Sequence, residues 1–195
     1  MSWVKNLYEN HVKKINLCLL VLIFFVNAYI ILFPLLPAAA YQVKIHTTKP
    51  LDSSQPAQIL SIDTSKDHLV IPRLRLDTPI LDGESPYLVN KGVWRRPNSS
   101  TPNLGSNTVL VGHRFTYDGP SIFYNLDKMQ KGDVIIMVWK GVRYKFDVTA
   151  TQTVPASRVD IENATSDKRL TIYTCTPLWS AKDRLVITAA LEQTL

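Results

Sequence analysis

The chain has 195 residues, 46% of them hydrophobic and 19% charged, with a mean hydropathy near zero. That suits one domain of ordinary size and excludes a disordered or collagen-like chain. Two cysteines exclude a disulfide-stapled mini-domain and a cysteine-rich zinc module, and the formal charge of +6 carries no basic run interleaved with aromatics, so no nucleic-acid partner is expected.

The hydrophobicity is unevenly placed. No charged residue lies between Lys14 and Lys44, and residues 17–36 are apolar apart from Asn27 and Pro34, with Tyr29 near the end. About 20 such residues are what an α-helix needs to cross the hydrocarbon core. Lys5, Lys13 and Lys14 precede the segment against only Glu9, so the positive-inside rule leaves the N-terminus in the cytoplasm and the remainder outside. The predicted organisation is a cytoplasmic N-terminus over 1–14, a transmembrane anchor over 15–37, an extracytoplasmic stalk over 38–68 and a folded domain over 69–195. A cleaved signal peptide is the alternative, because Ala38, Ala39 and Ala40 offer an A-x-A-like site; against it, the apolar stretch exceeds the roughly 7–15 residues of a signal h-region. The stalk reading rests on a polar stretch with two prolines and no sustained periodicity.

From Leu69 onward, short apolar segments recur with turn residues between them: LVIP, TPIL, NTVLVG, VIIMVW, VRYKFDVTA, RLTIYT and RLVITAA. This spacing predicts an all-β sandwich or barrel. The clearest pair is Val134 to Trp139, the turn Lys140-Gly141, and a stretch in which Val142, Tyr144, Phe146 and Val148 alternate with polar residues. It reads as a hairpin with one buried face. Helix signals are weak, the best being residues 121–129, where Ser121 could cap a short helix before Gly132.

Cys18 falls inside the apolar segment, where it reads as a small apolar residue, and it cannot pair with Cys175 across a membrane. Cys175 is therefore a single cysteine in the outer domain: a buried core residue, an intermolecular link or a nucleophile. It stands where the RLTIYT strand ends, and Pro177 stops the ladder because it has no N–H to donate. Arg184 opens the next strand. If the two strands are antiparallel neighbours, a guanidinium comes beside the thiol, where it favours the thiolate and can donate to an oxyanion. His113 follows NTVLVG at another strand end, whereas His11, His46 and His68 read as surface residues. Each of His113, Cys175 and Arg184 alone has a bland reading; together they point to cysteine-based acyl transfer. The sequence holds no G-x-S-x-G, H-E-x-x-H, P-loop or G-x-G-x-x-G motif.

These residues resemble the sortases, membrane-anchored cysteine transpeptidases found mainly on Gram-positive surfaces. Thr171-Ile172-Tyr173-Thr174-Cys175 is similar to the TLxTC signature, with Ile172 for Leu. Arg184-Leu185-Val186-Ile187 resembles the arginine strand, and Val111-Gly112-His113-Arg114 the histidine segment. Similarity extends to IPRLRLDTPIL, LVNKGVWRRPNSS and LDKMQKGD, so it covers roughly residues 69–191.

The resemblance implies a closed eight-stranded β-barrel behind one N-terminal transmembrane helix. It implies that Cys175 attacks the Thr–Gly carbonyl of an LPxTG-like sorting signal on a surface protein, and that an amine resolves the thioacyl enzyme. The acceptor would be a lipid-linked peptidoglycan precursor or a pilin. His113 would serve as general acid and then base, and Arg184 would hold substrate and oxyanion. No cofactor or metal is implied; a calcium site at Asp160, Glu162 and Asp167 competes with a plain solvated loop. The TCTP run and GVWRRP are most like class E or class D. The absence of a second apolar span and of an Asp-Pro-aromatic lid favours anchoring over pilin polymerisation. Two other readings stay open: a non-catalytic membrane-tethered β-domain binding a wall component, and a cysteine endopeptidase or hydrolase using the same residues.

Overall fold

The computed structural model describes residues 2–33, 36, 56–116 and 119–195. The alanine site at 38–40 and the stalk up to residue 55 lie outside the described residues. The chain divides into two units, Met1–Lys49 and Pro50–Leu195.

The first unit is helix α1, Ser2–Leu32. It starts well before the apolar stretch, because no Gly or Pro interrupts the polar residues ahead of it, and it ends two residues before Pro34, whose ring disfavours helix in the residue preceding it. Its segment His11–Leu32, 22 residues containing an 18-residue window of mean hydropathy 2.6, is long and apolar enough to cross a membrane. Asn27, a polar side chain in the middle of the apolar run, turns its amide back on the helix, donating from Nδ2 to the carbonyl of Ile23 at 2.8 Å.

The second unit is built on strands β1 (His68–Ile71), β2 (Leu76–Leu81), β3 (Val93–Arg95), β4 (Asn107–Val111), β5 (Phe115–Thr116), β6 (Gly119–Pro120), β7 (Val134–Trp139), β8 (Val142–Pro155), β9 (Arg169–Thr176) and β10 (Asp183–Thr194). Eight of them close a barrel in the order β1-β2-β3-β4-β9-β10-β8-β7, while β5 and β6 form a separate ribbon. This is the closed eight-stranded barrel that the resemblance implies. The pairs β2–β3 and β4–β9 are parallel and the other barrel pairs antiparallel. The β7–β8 hairpin turns through Lys140 and Gly141 at φ of 49° and 81°, the two left-handed residues of a type I′ turn, whose twist matches that of the strands.

Period-two alternation divides the core. Leu110, Ile172 and Ile187 face into the barrel with Ile135, Met137 and Phe146. Val109, Tyr173, Val154 and Val186 form a second cluster on the opposite face of β4, β9, β8 and β10. Strand β7 is apolar on both faces because Ile136 and Val138 are covered by Ile59 and Ile62. Ile59 belongs to the short helix α2, Pro56–Leu60, within the segment read from the sequence as stalk. Arg143 Nε reinforces that seam by donating to the Ile62 carbonyl at 3.0 Å.

The helix expected over 121–129 does not form. Successive bonds from Tyr124 N to Ser121 O and from Leu126 N to Phe123 O, 3.0 and 3.1 Å, run i to i+3, and only a 3-10 turn at Leu126–Lys128 results. Phe123, Leu126 and Met129 are all buried in the barrel core. A spacing of three aligns side chains in a 3-10 turn, whereas an α-helix would rotate one of them away.

Candidate active site

Strand β9 lies between β4 and β10, and everything chemical in this domain hangs on that position. Along β9, Leu170 and Ile172 face the barrel interior and Tyr173 faces outward, so Cys175 also projects outward. On β10, Leu185 and Ile187 point inward and Val186 outward, which turns Arg184 to the face carrying Cys175. The two are direct partners across the antiparallel ladder, so their Cα atoms are about 5 Å apart. On the other side, Val111 of β4 pairs in parallel with Tyr173. His113 and Cys175 each lie two residues further along, at the carboxyl ends of neighbouring parallel strands. The structure thus brings His113, Cys175 and Arg184 to one outer corner of the barrel with the cysteine in the middle, and all three are partly exposed.

Two cross-links hold this corner. Below the pair, the buried Thr174 donates from Oγ1 to the carbonyl of Gly112 at 2.7 Å. Above it, Arg114 donates from Nη1 to Thr176 Oγ1 at 2.8 Å. Arg114 is anchored in turn by Asp127, 3.1 Å from Nη2, and by the Tyr124 carbonyl, 3.2 Å from Nε. The residues flanking His113 are therefore tied to those flanking Cys175, which locks the register of the two strand ends. Sequence reasoning missed Arg114 and Gly112 as functional positions. Their only signal was adjacency to His113, because their partners lie 62 residues away in the chain.

Arg184 is aimed by its own loop: Nη1 donates to the carbonyls of Ala181 and Asp183, each at 3.0 Å. Among the described residues its hydrogen bonds all run from Nη1, and Nε and Nη2 have no protein acceptor there. His113 is engaged on its other flank by Asn90, whose Oδ1 lies 2.8 Å from Nε2. Beside them opens a cleft of about 540 Å³ lined by Asn90, His113, Phe115, Thr116, Leu178 and Trp179. Trp179 is 73% exposed and meets Phe115 edge to face, ring centroids 4.9 Å apart. Leu178 and Trp179 belong to the loop that follows β9, so one wall of the cleft is built by the chain that leaves Cys175.

Tyr173, one step down the outer face from Cys175, donates to Glu162 Oε1 at 2.5 Å. Glu162 Oε2 accepts from Arg96 Nε at 2.9 Å, and Arg96 lies over the Trp94 ring, 5.0 Å from its centroid. Burial, then the hydrogen bond and charge of Glu162, hold the Tyr173 phenol well above the ordinary tyrosine value, with Arg96 and Arg184 opposing. The carboxylates considered for calcium are each taken up by an arginine: Asp160 by Arg158 at 2.7 Å, Glu162 by Arg96 at 2.9 Å and Asp167 by Arg169 at 2.7 Å. Among the described residues no group of three or more His, Cys, Asp and Glu side chains is placed to hold a metal ion.

The barrel domain has counterparts among known proteins. The sortase domain, as a family profile, matches residues 69–192. Sortase A of Listeria monocytogenes is 32% identical over 88 residues, which is 45% of this chain and 39% of that protein. Sortase D of Bacillus subtilis is 26% identical over 110 residues, 56% of this chain and 53% of that protein. The matched region thus spans between about two fifths and half of these curated relatives. The crystal structure of Listeria monocytogenes sortase A superposes with a TM-score of 0.59 at 23% identity, covering 68% of this chain and 90% of that one, a likeness of fold. The family profile covers nearly the whole barrel, including both strand ends that carry the histidine and the cysteine, and the chain belongs to the sortase family.

Proposed function

We propose that this protein is a membrane-tethered cysteine transpeptidase that cleaves an LPxTG-like sorting signal between Thr and Gly and passes the acyl group to an amine. The observation that carries the reading is the corner itself, where Cys175 stands in direct register with Arg184 and beside the strand end bearing His113. The Cys175 thiolate attacks the threonyl carbonyl carbon; a C–S bond forms, and negative charge passes to the carbonyl oxygen, which Arg184 receives through its unoccupied N–H groups. As that charge returns, the C–N bond breaks and the departing glycyl amine takes a proton from the His113 imidazolium. An incoming amine then attacks the thioester, gives its proton to His113 and expels the Cys175 thiolate, so proton and electron pair both return to their starting places. The substrate is a surface protein bearing the signal, and the acceptor is a lipid-linked peptidoglycan precursor or a pilin amine.

In this reading α1 spans the membrane with residues 1–14 in the cytoplasm and residues 15–37 as the anchor, and 38–68 lead outward to the catalytic domain at 69–195, with Ile59 and Ile62 docked on β7. The basic flank of Lys5, Lys13 and Lys14 supports that orientation. The deciding experiment is mass spectrometry of the protein with LPxTG-like peptides, with and without added amines. A new amide at the threonine, dependent on Cys175, is expected. Cleavage yielding only the free acid in the presence of every amine would make the protein a hydrolase, and no cleavage at all would return it to a binding role.

A further inference from the structure

His113 is gripped by a residue that sequence reading passed over. Strands β3 and β4 are antiparallel, with Trp94 opposite Val111, so the chain entering β3 runs alongside the residues that leave β4. That entering chain is a 3-10 turn, Pro86–Asn90, closed by bonds from Leu88 N to Ser85 O at 3.2 Å and from Lys91 N to Leu88 O at 2.9 Å. Gly92, at φ 155°, then redirects it into β3. An added Cβ there would meet only Leu81 Cδ1, at 3.7 Å, so glycine is needed for its backbone conformation rather than for space. The result is that Asn90 Oδ1 lies 2.8 Å from His113 Nε2, and both side chains line the same cleft.

The chemistry of this contact is one-directional. With the Asn90 amide turned so that its oxygen, which only accepts, faces the ring, the contact suits a proton on Nε2 and leaves Nδ1 to gain and lose the second one. The amide is also uncharged, so it orients the ring without favouring the imidazolium as a carboxylate would. The charged and titratable groups on the elements meeting here include Tyr87 and Lys91 at the 3-10 turn, Arg95 on β3, Tyr173 and Cys175 on β9, Asp183 and Arg184 on β10, and Arg114 with its partner Asp127. A cysteine–histidine site whose ring is oriented by an asparagine is a workable arrangement on chemical grounds.

We propose that Asn90 is a positioning residue for His113, holding the proton on Nε2 so that Nδ1 is the atom that protonates the leaving amine and deprotonates the incoming one. The proposal rests on the reading of His113 as the acid–base group. It predicts separate effects on tautomer, titration and turnover, none of which a purely structural contact would move together.

The test uses the full chain in detergent with ¹⁵N-labelled histidine, as wild type, Asn90→Ala and Asn90→Asp, with His113→Gln to assign the signals. In the wild type, neutral His113 is expected as the Nε2–H tautomer. Asn90→Ala should mix the tautomers and lower kcat roughly tenfold to hundredfold, with KM little changed and the melting temperature held, because a misplaced catalytic group costs about that much. Asn90→Asp should raise the imidazole titration midpoint by about 1–2 units, as an adjacent carboxylate does, and shift the imidazole limb of the pH–rate profile with it. An Nδ1–H tautomer in the wild type, or a titration and profile unchanged in both variants while the wild type transfers peptide normally, overturns the proposal. If the tautomer and titration respond but the wild type turns over no peptide, the catalytic half of the proposal falls together with the transpeptidase reading, and only the hold on the ring survives.

Discussion

Replacing Gly112 by alanine puts a single methyl group at the tightest point beneath the candidate site. A Cβ built on Gly112 would lie 2.8 Å from Ile122 Cγ2, 2.8 Å from Phe123 Cδ2 and 2.9 Å from Phe123 Cε2. Carbon atoms pack at about 3.5–4.0 Å, so something must move by roughly 0.7–1 Å. Phe123 has no exposed surface and is packed within the barrel core, so the ring has no free direction. Overpacking of this kind costs about 1–3 kcal/mol, and for a domain of this size that lowers the melting temperature by roughly 3–10 °C. The alternative is that the end of β4 yields. Phe123 N donates to the His113 carbonyl at 3.0 Å, so strain at the ring reaches the histidine directly, and a shift of about 1 Å there costs on the order of 10²-fold in turnover. Thermal melting followed by circular dichroism and peptide cleavage read the two costs separately. The variant Phe123→Leu, which shortens the colliding side chain, should recover part of both losses when combined with Gly112→Ala, so the two changes are non-additive. A Gly112→Ala protein that melts and cleaves like the wild type, or strict additivity in the double variant, refutes the steric argument.

Cys175→Ala should abolish cleavage and transfer while preserving the melting temperature, whereas Cys18→Ala should retain full activity; transfer by the Cys175 variant in the peptide assay would dismiss the thioacyl mechanism. Arg184→Lys should lose about 10²–10³ in kcat despite keeping the charge, because an ammonium cannot use Nη1 for the loop carbonyls and still present a planar pair of donors; near-normal turnover would reduce the residue to a simple cation. Tyr173 makes the domain sensitive to alkali. With its folded value raised, its contribution is complete below the ordinary tyrosine value of about 10 and is lost as the pH rises beyond it, where the unfolded chain ionises and the folded one resists. Urea midpoints taken between about pH 9 and 11 should fall more steeply for the wild type than for Tyr173→Phe, and parallel slopes would show that another group governs the decline.

Much of this molecule is written locally. The gap between Lys14 and Lys44 marks a membrane-length helix because chain length and charge alone decide what can cross hydrocarbon. Alternation in VRYKFDVTA identifies β8 and its buried face, and Lys140-Gly141 places the hairpin turn, since a two-residue connection leaves only one sensible pairing. The neighbourhood of Cys175 and Arg184 was legible for the same reason: a short loop joins adjacent antiparallel ends. The family resemblance then extended the reading from strands to a closed barrel.

What the sequence does not carry is which distant strands become neighbours. The parallel pairing of β4 with β9 links residues about 60 positions apart, and no local pattern encodes it, because each strand's period two is satisfied by any partner that completes the core. Joint chemistry and the family resemblance led to the expectation that His113 meets Cys175, but no local pattern showed the Thr174–Gly112 and Arg114–Thr176 cross-links that hold them together, nor the approach of Asn90 to His113 across β3 and β4. The same holds for the doubly buried run of β7, covered by Ile59 and Ile62 from a segment whose composition reads as a stalk, and for residues 121–129, where the barrel interior demands three side chains at a spacing of three and overrides a weak helix signal. Periodicity and charge, which act between near neighbours in the chain, determined the elements and their faces. The closure of the barrel, which acts between residues remote in sequence, decided where their chemistry meets.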